Sequence, residues 1–325
     1  MKIDAHPGPQ RAPDPRIMQE TGTAQLPPSA PAPLIIPGHR LPPSPGGDRR
    51  LRRATTLIGA VIVLLVVLGL ALLSTATWFA GRSFTAVPAI SELGSPAAVT
   101  LDSGTGTVRV LPSGDVDELT LALVSPGVTT LPSPDARVPA RITQTAGANR
   151  TSVDVRQPTR SFSPPWSDET LDVLLLVPTA LELALEVRAG VGDIVVDGDL
   201  TSLEAHADAG NLRLGPLSAP DGVNATTEVG SIDLELDSPS PAIVHLTAAV
   251  GDVDLLLPTD AGGEVSISTD LGDVEVSAPG TAHWQIRADS ELGEVHTAPG
   301  LTDGAGEAAG TLAVTSELGN IDITR

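Results

Sequence analysis

Acidic residues recur at a regular interval in this chain, and their spacing offers the best opportunity for chemistry. Six residues share the position three after a glycine: Arg213, Asp233, Asp254, Glu275, His296 and Asp322. Paired carboxylates at such positions could act as general acid and base on a glycosidic bond. Charge that repeats on one face is, however, the usual solvated side of a repeat fold. Aromatic residues, which saccharide sites use as platforms, are only 2% of the chain. We therefore expect no enzyme and no catalytic residue.

Other acidic residues flank the glycines and could bind a hard cation such as calcium through clustered oxygens. They form three pairs: Asp252 with Asp254, Asp270 with Asp273, and Glu291 with Glu294. The interval of about 21 residues differs from the nine-residue repeat of calcium-binding β-rolls. The four histidines of this region fall at different offsets from the glycines: His206, His245, His283 and His296. We expect solvated side chains here, with no metal and no cofactor.

The glycines mark an internal repeat that must position these side chains. Seven units of the form Gly-Asp-Val-Asp-Leu begin at Gly192, Gly210, Gly230, Gly251, Gly272, Gly293 and Gly319. Neighbouring glycines are 18, 20, 21, 21, 21 and 26 residues apart. A nearly constant period of this size indicates a repeat architecture.

Apolar residues occupy fixed columns around each glycine. They lie seven, five and one residues before it and two and four residues after it, and the residue three before is always small. Because strand side chains alternate between faces, this pattern keeps one inward face only if the backbone bends at the glycine. Each unit is then two short strands joined at a corner. An Asp or Asn directly after the glycine suits a turn, where its side chain can bond nearby backbone.

The fold class predicted for residues 99–325 is all-β, a β-solenoid resembling a parallel β-helix. A unit of this size cannot bury its apolar face alone, so successive units are expected to stack in register. An antiparallel meander or sandwich is the alternative. Residues 111–178 are less regular, and residues 82–98 are interpreted as a linker or a capping lead-in.

The N-terminal region has a different composition. Residues 1–48 contain twelve Pro, and we expect residues 1–53 to be a disordered cytoplasmic tail with a possible protein partner. Residues 54–81 contain no charged side chain and are long enough to cross a lipid bilayer as one helix. Trp78 and Phe79 lie at the far end of this segment, where interfacial aromatic residues are common.

Charge predicts the orientation of the predicted membrane helix. Four Arg residues immediately precede residues 54–81 and only Arg82 immediately follows, which favours a cytoplasmic N-terminus. Residues 1–82 carry nine Lys/Arg and four Asp/Glu, whereas residues 83–325 carry ten Arg and thirty-six Asp/Glu. An acidic body of this kind would repel nucleic acid. The absence of Cys excludes disulfides and thiolate metal sites.

The strand at 171–178 and the seven glycine units that follow it resemble the bacterial DUF4097 family of proposed adhesins. The resemblance covers residues 95–325 and implies a β-helix-like domain outside the cytoplasm, without catalytic residues. It favours a single-pass membrane protein that works in adhesion or envelope scaffolding, with an envelope or protein partner. A sensor of envelope stress that signals through its tail is the alternative, and a carbohydrate-active enzyme is the third hypothesis.

Overall fold

The computed structural model of this protein describes residues 84–158, 170–302 and 307–325. These residues form strands and turns, and among them no helix is long and apolar enough to cross a membrane. The predicted tail at 1–53 and the predicted membrane helix at 54–81 lie outside the described residues.

Twenty-three strands make up the described part of the chain. In order they are β1 Ala86–Pro88, β2 Ile90–Glu92, β3 Ala98–Thr105, β4 Val108–Ser113, β5 Thr120–Val124, β6 Arg137–Pro139, β7 Arg141–Ala146, β8 Arg150–Arg156, β9 Asp172–Pro178, β10 Ala184–Val191, β11 Ile194–Asp199, β12 Ser202–Ala209, β13 Leu212–Ser218, β14 Gly222–Val229, β15 Ile232–Leu236, β16 Ile243–Val250, β17 Val253–Leu256, β18 Gly263–Leu271, β19 Val274–Ser277, β20 Trp284–Leu292, β21 Val295–Thr297, β22 Gly310–Leu318 and β23 Ile321–Thr324.

Two large sheets contain nearly all of these strands. The first has ten strands in the order β20-β22-β18-β16-β14-β12-β10-β3-β8-β7. The second has eleven in the order β2-β5-β9-β4-β11-β13-β15-β17-β19-β23-β21. Strands β1 and β6 form a separate antiparallel pair. The repeat strands pair in parallel, so parallel stacking is confirmed and the antiparallel alternative is wrong for the repeats.

Each glycine unit contributes one strand to each sheet, and we call such a pair of strands a rung. The column seven residues before the glycine is in register through the first sheet: Val99, Leu185, Leu203, Val223, Val244, Val265, Leu312 and Ile286. The side chains of this column point into the space between the two sheets. The side chains five residues before the glycine, and two and four residues after it, do the same. In the inner rungs these side chains are buried, so the core is a set of stacked Val, Leu and Ile ladders.

The glycine is required by both conformation and space at six of the seven corners, and by space at Gly293. Gly251 has a φ of 149°, in the region that side chains with a Cβ rarely adopt. A Cβ added to Gly251 would meet the carbonyl oxygen of Gly230 in the neighbouring rung. The predicted bend at the glycine is therefore present and carries the chain from one sheet to the other.

The order of the rungs differs from the order of the sequence at the C-terminal end. Strands β22 and β23 insert between the rung β18/β19 and the rung β20/β21. The expectation that successive units stack in order is therefore wrong for the last two units. The interval of 26 residues between Gly293 and Gly319 supplies the connection that returns the chain by one rung. We call the rung β20/β21 the open end.

The opposite end, which we call the capped end, is built from the irregular region. Strands β8 and β9 form its last parallel rung. Strand β7 then adds antiparallel to β8, β5 adds antiparallel to β9, and β2 adds antiparallel to β5. The described part of the segment interpreted as a linker or capping lead-in carries β1 and β2, so it contributes to this end.

Candidate functional site

Side-chain hydrogen bonds join the corners of adjacent rungs. The oxygen of the residue directly after one glycine accepts from the backbone N–H of the equivalent residue in the next rung. The first such bond runs from the Asn211 N–H to Asp193 Oδ1 at 2.9 Å, and the last runs from the Glu294 N–H to Asn320 Oδ1 at 3.0 Å. The intermediate bonds use Ser231, Asp252, Asp273 and Asn320 as donors. These residues were expected to bond their own turn, but the backbone that they bond belongs to the next rung.

Hydroxyl groups reinforce the same corners from inside. The small residue three before the glycine is a Thr or Ser in four rungs, and its hydroxyl donates to a glycine carbonyl of the neighbouring rung. Thr227 Oγ1 lies 3.1 Å from Gly210 O, and Ser290 Oγ lies 2.7 Å from Gly319 O. The column was predicted to be small because the corner is narrow. Its hydrogen bonds were not predicted, since the column also contains Ala.

The apolar residue directly before the glycine is exposed in six of the seven units and half-buried at Ala209, which corrects the prediction that it faces the core. At this position the chain is already turning from one sheet into the other, so the side chain lies outside the corner. The exposed residues are Val191, Val229, Val250, Leu271, Leu318 and Leu292, with exposed fractions of 45% to 70%. Together with Ala209 they form a line of seven rungs, about 29 Å long at the usual spacing between strands. We call this line the corner ridge.

Acidic side chains border the corner ridge. Asp208, Glu228 and Asp270 are exposed one residue before it in their rungs, and Asp252 and Asp273 are exposed directly after the glycine. A partner of the ridge would therefore meet an apolar line with negative edges. Contiguous apolar surface of this kind is uncommon on soluble proteins outside interaction sites.

The six residues predicted to share one column do so on the outer face of the second sheet. The order across the sheet is Arg213, Asp233, Asp254, Glu275, Asp322 and His296. Partial burial raises the pKa of Asp254, and the nearby carboxylates of Glu275, Asp233 and Asp252 raise it further. The cause is crowding of like charge on an open strand surface. The described residues contain no group of acidic and His side chains able to hold a metal ion.

A network of ion pairs covers the first sheet near the capped end. Arg156 lies 2.9 Å from Asp154 and 3.2 Å from Asp102, and Arg188 lies 2.6 Å from Glu186. These side chains are exposed or half-exposed, so the network can contribute only modestly to stability. It lines an open groove of about 550 Å³.

One carboxylate at the capped end is buried. Asp172 is 4% exposed and accepts from the Gly127 N–H at 2.9 Å and from the Thr107 N–H at 3.3 Å. Arg109 Nε lies 3.4 Å away. These partners hold the loop before β6 and the corner of β3 and β4 together, which is a structural role. The sequence had given no signal for it, because Asp172 follows no glycine, although β9 places it opposite Thr107 in the column directly after the corner.

Comparison with known proteins gives limited information. Neither a protein-family model nor a curated protein sequence matches this chain, so the resemblance to the DUF4097 family stays a prediction. Two solved structures are similar over 74% of the chain. One is a proposed cell adhesion protein from Clostridium sporogenes, with 12% identity, a TM-score of 0.28 and 99% of its own length covered. The other is a proposed adhesin from Bacteroides fragilis, with 15% identity, a TM-score of 0.39 and 97% of its length covered.

Proposed function

We propose that this chain is an adhesion or envelope-scaffolding protein without enzymatic activity. A single helix at 54–81 anchors it in the cell membrane, and the solenoid lies outside the cytoplasm. The solenoid holds a partner on its surface, and its stacked rungs provide a rigid body that projects the contact away from the membrane.

The corner ridge is the observation that carries this proposal. Six large apolar side chains on consecutive or nearly consecutive rungs remain exposed although the same fold buries its other apolar columns. Exposed apolar residues scattered singly need no explanation, but an aligned set is typical of an interaction site. The fixed interval between rungs also presents these side chains at a constant spacing, which suits a long or repetitive partner.

The arrangement of the acidic column supports binding over catalysis. General acid and base catalysis needs groups with distinct proton affinities around an enclosed reacting atom. The column between Arg213 and His296 instead lies on a strand surface that faces solvent. Negative charge on this face also supports the expectation that nucleic acid is not a partner.

The proposal is tested by cell attachment with the full chain expressed in its own membrane. Val229→Ser, Val250→Ser and Leu271→Ser together should reduce attachment to the level of cells that lack the protein. The matched control replaces exposed apolar residues outside the ridge, with Leu131→Ser, Ile243→Ser and Leu256→Ser. Both triple variants should keep the unfolding temperature, since exposed substitutions change stability little.

Three results would overturn the proposal. Attachment that survives the ridge variant and fails in the control would remove the ridge as the binding surface. Attachment that is absent with the unmodified chain, together with specific capture of a cytoplasmic protein by residues 1–53, would favour the signalling alternative. Hydrolysis of a polysaccharide that stops with Asp254→Ala and Glu275→Ala would favour the enzyme.

A further inference from the structure

We propose that the open end of the solenoid pairs with the open end of a second copy of this chain. The β20 strands of the two copies lie antiparallel, with Ala288 at the centre of the pairing. The contact joins the two copies end to end. This goes beyond the proposed function, which assigns neither a partner to this end nor an oligomeric state.

The first observation is an unpaired strand edge. Strand β20 pairs with β22 on one side, and no described strand pairs with its other side. The carbonyl of His283 faces β22 and accepts from the N–H of Ala309, the residue before that strand. The Trp284 N–H faces the other side, where it donates to Leu301 O in the loop after β21. Because backbone groups alternate sides along a strand, those of Ile286, Ala288 and Ser290 point toward the free edge. A free edge of this kind is a template for another strand.

The second observation is that the core is incompletely covered at this edge. Leu312 and Val314 are 1% and 0% exposed in the neighbouring rung. Ile286 and Ala288 occupy the same columns in the terminal rung and are only half-buried. Leu292 is 70% exposed, the highest value among the exposed large hydrophobic residues. A second copy placed against β20 would cover Ile286 and Ala288 and remove them from water.

Charge selects the second copy and the register. Antiparallel pairing centred on Ala288 places Arg287 opposite the partner subunit's Asp289, and the two-fold symmetry repeats this pair. The pairing covers Ile286 to Ser290 and stops short of Trp284, because the Trp284 N–H already donates to Leu301 O. Within the described part of the chain, the side chains of Arg287 and Asp289 have no hydrogen-bond or ion-pair partner, and only their backbone groups bond to β22. Opposite charges across a strand pair are favourable, and like charges are unfavourable.

The neighbouring registers are disfavoured by the same residues. Centring the pairing on residue 287 places two Arg side chains opposite each other, and centring it on residue 289 places two Asp side chains opposite each other. Only the register centred on Ala288 matches every charge in the middle of the strand with an opposite charge or an amide.

The symmetry of this pairing also fixes the direction of the two bodies. A two-fold axis along the normal of the sheets makes β20 antiparallel to its copy and places the two capped ends at opposite extremes of the dimer. Two copies anchored in separate membranes would therefore be able to meet at their open ends. This last consequence rests on the proposed function, whereas the pairing itself does not.

Charge exchange tests the pairing with the full chain in detergent micelles. We expect Arg287→Asp to weaken self-association about tenfold, because two attractive pairs become two repulsive ones. We expect Asp289→Arg to have the same effect, and the double variant R287D/D289R to restore association to within about threefold of the unmodified chain. Sedimentation at about 0.15 M salt is suitable, since the Debye length of about 8 Å screens the remaining acidic surface more than the close pairs.

Cysteine crosslinking tests the register, and the natural absence of Cys makes it specific. Ala288→Cys should form a disulfide with its own copy, because directly opposed residues lie about 5.5 Å apart. Gln285→Cys is the matched control on the same strand, and its copies would lie about 20 Å apart in this register. Crosslinking at Gln285 as strong as at Ala288 would overturn the register.

The pairing would be overturned by a chain that sediments as a monomer at all concentrations, or by a double variant that stays as weak as the single ones. Self-association that is present while cell attachment is absent would support the pairing and remove the proposed function. If attachment depends on the corner ridge while the chain stays monomeric, the proposed function is supported and the pairing is overturned.

Discussion

The two ends of the solenoid complete the same pair of sheets in different ways. At the capped end the strands turn antiparallel, and β5 and β9 are buried on both faces. A second small apolar cluster, formed by Ala122, Val124, Leu174 and Leu176, covers the outer face of the sheet there. At the open end the strands remain parallel, β21 is mostly exposed, and the last rung leaves its apolar columns half-covered.

The difference shows what a parallel rung can and cannot supply for itself. Inside the stack, each rung receives hydrogen bonds and apolar contacts from both sides, so its sequence needs only the columns and the corner glycine. A terminal rung has one neighbour, and it requires something outside the repeat to protect its edge. Strands β2, β5 and β7 provide this at the capped end. We infer that a second copy provides it at the open end.

The largest expected effect compares equivalent corners in the middle and at the open end. Gly251→Val should reduce the free energy of unfolding by about 4 kcal/mol or more, because a Cβ would meet the carbonyl of Gly230 at a φ of 149°. A Cβ at Gly293 would likewise meet the carbonyl of Gly319. We expect a smaller loss for Gly293→Val, because Gly293 does not have the φ of Gly251 and its rung has a neighbour on one side only. Denaturant unfolding of the full chain measures both.

Gly114→Val is the control for these corner variants, since a Cβ there meets no atom within 4 Å. It should change the free energy of unfolding by less than about 0.5 kcal/mol. If Gly251→Val and Gly114→Val reduce the free energy of unfolding equally, the contact at the corner does not restrict residue 251 to glycine.

A second comparison uses one apolar column in adjacent rungs. Leu312→Ala removes a side chain that is 1% exposed and should cost about 3 kcal/mol through lost transfer energy and a cavity. Ile286 lies beside it in the terminal rung and is half-buried, so Ile286→Ala should cost about 1 kcal/mol in the monomer.

Concentration sharpens this comparison of Leu312 and Ile286. If a second copy covers the open end, the cost of Ile286→Ala should rise when unfolding is measured at protein concentrations that favour the dimer. The cost of Leu312→Ala should rise less, because that side chain is already buried within one chain. A cost of Ile286→Ala that does not depend on concentration would count against the paired end.

The capped end is tested through its buried carboxylate. Asp172→Ala removes the acceptor for the Gly127 and Thr107 N–H groups and the partner of Arg109, and should cost about 2 kcal/mol. Asp172→Asn keeps one side-chain oxygen and should cost less. Proteolysis in the loop that contains Gly127 should increase in the Ala variant, and protection there equal to that of the unmodified chain would show that the carboxylate does not hold the loop.

The periodic part of the fold could be predicted in detail from the sequence. The register of Val253 with Val274 and the bend at Gly251 follow directly from the columns, because equivalent residues stack in a repeat. The exposed position of Val250 could not be predicted, since an apolar residue one before the corner fits the inward pattern as well as the outward one. Its exposure depends on where the backbone turns.

The ends were not predictable for a different reason. The columns of Ile286 and Leu312 are alike, so they indicate that both units belong to the stack but not which one lies inside it. Only the loop between them, with its longer interval, differs, and loop length does not specify which rung the chain returns to. Asp172 and Gln157 act at a corner that has no glycine, so the glycine columns do not reveal their contacts. Gln157, for example, accepts from the Leu171 N–H at 2.9 Å and replaces a glycine corner.

The smallest expected effect concerns the acidic column, which is negative in the middle rungs and carries Arg213 and His296 toward the two ends. Burial and the neighbouring carboxylates raise the pKa of Asp254 in the folded chain. A raised pKa means that the charged form is less favourable in the folded state, so this residue lowers stability at neutral pH and the loss is relieved as the pH falls through the raised pKa. Asp254→Asn should therefore slightly increase the unfolding temperature at pH 7.

Because Asp254 is largely open to solvent, screening keeps this gain well below about 1 kcal/mol. It should decrease further in high salt and disappear as the pH falls through the raised pKa of Asp254, where the unmodified residue becomes protonated. Asp237→Asn is the control, an exposed acidic residue of the same sheet region outside the column. A larger gain from the control than from Asp254→Asn would mean that the total negative charge, and not the alignment of carboxylates across the rungs, limits the stability of the middle of the solenoid.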